Sequence, residues 1–211
     1  MTRLSLAWLA AALLLSLSDL ALAADSLFNV PVAGTLQPRR LTSYFAVGSG
    51  AGLDSEGTTA LLTADYNVSR YLSAGITTRL TDGFSARPEG SVQFAPVGKP
   101  YAFAVGFASV GVRSFRTQPY AIGSTRFGDL GAYAGVTHDS YGTHPMLGVD
   151  YLLSRGFSLQ GDWIHDDGSF LTVGGRYQWL RDFAIALGFS HADQERGGNG
   201  VFASLQKDFR F

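Results

Sequence analysis

Apolar and polar side chains alternate with a period of two, in run after run of about eight to twelve residues, which restricts this chain to a β-architecture. The runs cover 40–48, 58–68, 70–80, 89–96, 101–110, 119–126, 129–138, 144–153, 156–165, 169–179, 182–191 and 200–211, with Gly, Asp, Ser and Pro turns between them. No stretch among them carries a helical period. Twelve is an even number, as expected of a bacterial single-chain membrane barrel. Side-chain phase says more than the count. One face presents Leu62, Ala64, Tyr66 and Val68, then Leu147, Val149, Tyr151 and Leu153, then Phe183, Ile185, Leu187 and Phe189. A Lys or Arg facing lipid at mid-depth costs roughly 2–4 kcal/mol. That face carries almost none, Lys207 being the exception, close to a strand end. The opposite face holds Asp65, Arg79, Gln93, Asp150, Gln160, Asp162, Arg176 and Gln178, the predicted lining of a lumen, and it is rich in Gly and Ala. Only run 119–126 is ambiguous in phase: Arg126 interrupts one face, while Ala121 and Gly123 weaken the other.

Connection lengths agree with a spanning barrel. With the amino end in the periplasm, links after even strands should be tight turns and links after odd strands longer external loops. The even links centre on Ser69, 97–100, 127–128, 154–156 and 180–181; the odd ones include 49–57, 81–88, 111–119, 139–143 and 192–199. Aromatic residues gather where an apolar ring meets hydrated headgroups. Tyr66, Phe94, Tyr101, Tyr151, Phe157, Tyr177, Trp179, Phe183, Phe209 and Phe211 fall near the periplasmic interface, and Phe45, Phe107, Trp163 and Phe189 higher.

Composition narrows the solvent. Hydrophobic residues make up 46% of the chain and charged ones only 16%, against about 25% in soluble proteins. A soluble β-domain would turn the apolar face inward and leave the Gly/Ala-rich face in water without the charges that usually guard it. Cys is absent, which removes disulfides, thiolate–metal sites and a cysteine nucleophile. A net charge of -1 gives no footprint for nucleic acid, and no cofactor motif is present. The amino end has a positive Arg3, an apolar run from Leu4 to Leu17 and a small-x-small site at Ala21–Ala23, the pattern of a secretory signal peptide. The expected organisation is therefore a signal peptide over 1–23, a periplasmic segment over 24–39, and one antiparallel transmembrane β-barrel over 40–211.

The last strand, Val201 to Phe211, resembles the closing strand of bacterial outer-membrane barrels, whose terminal aromatic addresses the barrel-insertion machinery. The likeness implies that Phe211 meets that machinery in a Gram-negative-type outer membrane, among lipid and lipopolysaccharide. Val30-Pro31-Val32-Ala33-Gly34-Thr35-Leu36-Gln37-Pro38, with 99–106 and Gly148-Val149-Asp150-Tyr151, resembles YjbH-like outer-membrane proteins linked to exopolysaccharide production. That resemblance implies a barrel supporting polysaccharide or envelope export, and it carries no catalytic residues.

Two further constellations bear on chemistry. His138, His144, His165 and His191 map to external strand ends beside Asp139, Asp166, Asp167, Asp193 and Glu195. Such groups are competent ligands for a divalent cation or bridged lipopolysaccharide, but the spacing follows no metal motif, and phase points His144 inward and the other three outward. His138 and Ser140 share the outward face, so an outer-leaflet lipid hydrolase with Asp166 or Asp167 as orienting acid is one alternative function. The expected function is a small pore or a structural barrel without enzymatic activity. The inward charges, including Asp208 and Arg210, then either tune permeation or pair among themselves.

Overall fold

The computed structural model describes residues 37–49, 58–80, 86–97, 101–111, 118–139, 141–165, 169–192 and 199–211. Twelve antiparallel strands follow in chain order: β1 (Arg40–Ser49), β2 (Thr58–Asn67), β3 (Leu72–Leu80), β4 (Ala86–Val97), β5 (Tyr101–Gly111) and β6 (Gln118–Phe127), then β7 (Leu130–His138), β8 (Thr143–Ser154), β9 (Phe157–His165), β10 (Ser169–Leu180), β11 (Phe183–Ala192) and β12 (Asn199–Arg210). Each pairs with its neighbour, and β12 returns to β1 to close the barrel. The seam runs in register from Arg40 opposite Arg210 to Ser49 opposite Val201. Closure leaves no free strand edge, which a sheet in hydrocarbon requires. The expected strands are all present. The largest shift is at β4, which starts at Ala86 rather than residue 89. The expected signal peptide and nearly all of the segment before β1 lie outside the described residues.

The tight turns stand at the end that holds both termini of the barrel. Two residues join β6 to β7, β8 to β9 and β10 to β11. Gly156 in the second of these adopts φ +95°, a conformation L side chains rarely take. Arg39 takes φ 58° as the chain enters β1. Its N–H donates to the Asn67 carbonyl and its own carbonyl accepts from Phe211 N, so the barrel's two ends are tied together through its backbone.

Orientation is the decisive feature of the fold. Val149 is 50% exposed and Leu187 62%, whereas inward Asp162 is 2% exposed. The apolar face therefore looks outward around the wall. A soluble β-domain needed the reverse, and that alternative is discarded. The phase of β6 is also resolved. Tyr120, Ile122, Ser124 and Arg126 face inward, in register with Thr137, Gly135, Tyr133 and Gly131 of β7. Pro119, Ala121, Gly123 and Thr125 face out. Arg126 belongs inside because Asp150 awaits it there. Outward Lys207 survives at its strand end because it pairs with Asp182 of the β10–β11 turn. Its ammonium also lies 5.7 Å from the Phe209 ring centroid, which leaves the residue only 8% exposed.

Small residues inside the wall make room for large ones opposite. A Cβ added to Gly188 would stand 2.3 Å from the Phe202 ring across the β11–β12 ladder. Gly188→Val should therefore drive that ring off its place. We expect a loss of about 1–3 kcal/mol, typical of overpacking, in urea unfolding from lipid vesicles. In the Phe202→Ala background the same Gly188→Val change should cost far less, and an equal cost in both backgrounds would refute the clash.

Candidate functional site

The interior of the barrel collects the polar side chains that the alternation assigns to one face. At the mouth with the tight turns, Arg40 and Asp208 form a buried ion pair. Asp208 Oδ1 also accepts from Thr42 Oγ1 at 2.8 Å and from Gln206 Nε2 at 3.4 Å. Arg210 Nη2 donates to Gln37 Oε1 at 2.6 Å. Across the lumen, Asp150 accepts from Arg126 Nη2 at 2.6 Å and from the Tyr133 hydroxyl at 2.7 Å. Farther in, Arg176 Nη2 reaches Gln206 Oε1 at 3.4 Å. Gln160 and Asp162 are buried on β9. Asp65 accepts from Ser91 Oγ at 3.3 Å, and Gln93 Oε1 accepts from the Tyr120 hydroxyl at 2.8 Å. Gln178 stays at the mouth, donating to the Arg181 carbonyl at 2.8 Å. Arg79 stands in β3 opposite Leu61 on one side and Arg87 on the other.

Burial divides this interior into two sectors. On β8 to β12, inward His144, Asp150, Gln160, Asp162, Thr172 and Arg176 are buried, as are Ser190, Ser204, Gln206 and Asp208. On β1 to β4, inward Thr42, Tyr44, Thr63, Asp65, Thr77, Ser91 and Gln93 are only half-buried. The first sector satisfies its charges in place, as buried charge demands. The second is a strip rich in hydroxyls, with Thr63 and Thr77 joined at 2.9 Å. Hydroxyl groups both donate and accept, so the strip can exchange hydrogen bonds with a passing polar solute. Tyr44, Thr42, Arg40, Tyr120 and Tyr133 were not among the residues singled out from sequence. Register finds them: Thr42 lies opposite Asp65 and Asp208, and Tyr133 lies two residues along β7 from Gly131, the partner of Asp150.

The histidines do separate jobs. His138 Nδ1 lies 2.9 Å from Thr143 Oγ1, His191 Nδ1 lies 2.7 Å from Asn199 Oδ1, and the His165 ring stacks on Trp163 at 5.6 Å. His144 Nε2 lies 3.0 Å from Asp139 Oδ1, which also accepts from the N–H groups of Tyr141 at 2.8 Å and Gly142 at 3.2 Å. Desolvation pushes the Asp139 carboxyl up, but these donors outweigh it and hold the group below the usual carboxylate range. Its contribution to the turn is present at neutral pH and fades only as pH falls through that lowered value. Asp139 thus serves His144 and the turn. Ser140, Asp166, Asp167, Asp193 and Glu195 lie outside the described residues. Among the described residues no three His, Asp or Glu side chains gather as a metal site.

No family model matches the chain, and no curated protein does, so the YjbH-like resemblance gains no support from either. Solved structures do match. The KdgM porin superposes with a TM-score of 0.69 at 11% identity, covering 80% of this chain and 99% of its own. The same porin in complex with disordered oligogalacturonate gives 0.65 at 10% identity, covering 81% and 99%. The NanC porin gives 0.62 at 13% identity, covering 81% and 100%. The outer-membrane protein Omp33 of Acinetobacter baumannii gives 0.54 at 8% identity, covering 83% and 100%. At such identities the likeness is one of fold, and the fold is that of outer-membrane porin-like barrels.

Proposed function

We propose that the chain forms a narrow pore in a Gram-negative-type outer membrane and passes small, hydroxyl-rich solutes. The half-buried hydroxyl strip of β1 to β4, set against a wall that pairs Arg40 with Asp208 and Arg126 with Asp150, is the observation that carries this reading. Fixed charges lining a lumen select the sign of a permeant; here the described arginines and carboxylates of β6 to β12 are engaged with partners, and on the strip the Asp65 carboxylate accepts from Ser91 among the hydroxyls, so hydrogen bonding is the main contact for a neutral solute. The complex of KdgM with oligogalacturonate supports sugars as the solute class. Support of polysaccharide or envelope export belongs to the same proposal, as do contact with lipopolysaccharide and insertion through Phe211. The hydrolase alternative falls on Ser140, Asp166 and Asp167, which lie outside the described residues, while its base His138 has its Nδ1 2.9 Å from Thr143 Oγ1.

Planar bilayers provide the test. Purified protein should give discrete conductance steps, and liposomes that contain it should swell in isosmotic neutral monosaccharide. Intact barrels that leave bilayers silent and liposomes unswollen would remove the pore and leave a scaffold.

A further inference from the structure

At one register level of the lumen, apolar residues replace the polar pattern. Running across β5 to β9, the inward residues in register are Ala104, Ile122, Gly135, Met146 and Ile164. Ala104, Ile122 and Met146 join Ala95 and Tyr133 in a buried apolar cluster, and Ala102, Tyr120 and Ile164 pack against it. All of this lies inside a barrel whose outer face already meets hydrocarbon. Such residues would line water if the lumen were open across its full width. They do not: Ile122 is 1% exposed and Met146 2%. The cluster, which takes in Ala95 of β4, therefore fills its side of the barrel, while inward Thr42, Tyr44, Thr63, Asp65 and Thr77 on β1 to β3 are half-buried.

We propose that this belt is the constriction of the pore and that Ile122 and Met146 set the largest solute that passes. The proposal rests on the pore reading above. An apolar constriction limits passage by size and by its reluctance to hold water, without binding the permeant. It narrows the route from one side while the hydroxyl strip supplies hydrogen bonds from the other. Tyr120 stands at the boundary, its ring packed on the belt and its hydroxyl donated to Gln93.

The test compares wild type with Met146→Ala, the Ile122→Ala/Met146→Ala double variant and Met146→Leu, all in planar bilayers and in liposomes. Folding is checked first by the electrophoretic shift between boiled and unboiled samples. Unitary conductance should rise about twofold or more in the double variant. Liposome swelling in a trisaccharide should rise relative to a monosaccharide, while Met146→Leu keeps the wild-type values. Folded double variants with unchanged conductance and unchanged size preference would overturn the constriction while leaving the pore standing. A silent wild type beside a conducting double variant would support the belt as a seal and overturn the open pore. Silence from both would overturn both.

Discussion

Asp208→Ala is expected to destabilise the barrel by about 3–5 kcal/mol, the usual result of leaving one partner of a buried ion pair alone. The Arg40 and Asp208 side chains are 3% and 0% exposed, so neither can turn to water. The substitution also takes the acceptor from Thr42 and Gln206, at 2.8 and 3.4 Å. Arg40 Nε is buried without a hydrogen-bond partner, so the aspartate is what makes that arginine tolerable. Arg40 stands opposite Arg210 at the seam, where repulsion between like charges adds to the loss. Because β1 and β12 meet there, the damage falls on closure itself. Urea unfolding from lipid vesicles, followed by tryptophan fluorescence, measures it. The double variant Arg40→Met/Asp208→Leu should recover most of the loss, since it removes both charges and retains bulk. A single variant within about 1 kcal/mol of wild type would show that the pair is solvated.

The fold was legible in sequence because a spanning barrel is specified by repetition. Each strand repeats one alternation, and an error of one residue in any of them would put its charges into lipid. Asp150, Gln160, Asp162 and Arg176 could therefore be assigned to one face from parity alone. Strand β6 resisted because its inward side holds the bulky Tyr120 and Ile122 and its outward side the small Ala121 and Gly123, the reverse of the other strands. Its phase is set by partners on other strands: Ala104 and Gly135 make room for Ile122, and Asp150 receives Arg126. Parity gives direction but not partnership. It could not show that Asp208 takes Arg40 rather than Arg210, that Asp139 serves His144 rather than His138, or that Gln178 turns back to the Arg181 carbonyl. The apolar belt was hidden for the same reason, since Ala104, Ile122, Met146 and Ile164 come from four separate strands and become neighbours only through register.

Val149→Arg tests the solvent outside the wall. Val149 sits midway along β8 with its side chain outward and 50% exposed, in register with Ala132 and Gly161. In a bilayer an arginine there should cost about 2–4 kcal/mol, falling toward zero near the interfaces. No acid is at hand to receive it, because its outward neighbours on β8 are Leu147 and Tyr151. Lys207 marks the contrast: it lies at the end of β12, pairs with Asp182 and is covered by Phe209. An arginine at position 153, farther along the same face toward the tight-turn end, should accordingly cost less than one at 149. Unfolding both variants from vesicles yields that depth profile. Were water the outer solvent, Val149→Arg would be neutral, within the roughly 0.5 kcal/mol typical of surface changes. A neutral result at 149, or equal costs at 149 and 153, would place this face somewhere other than hydrocarbon, and the pore would lose the membrane it is meant to cross.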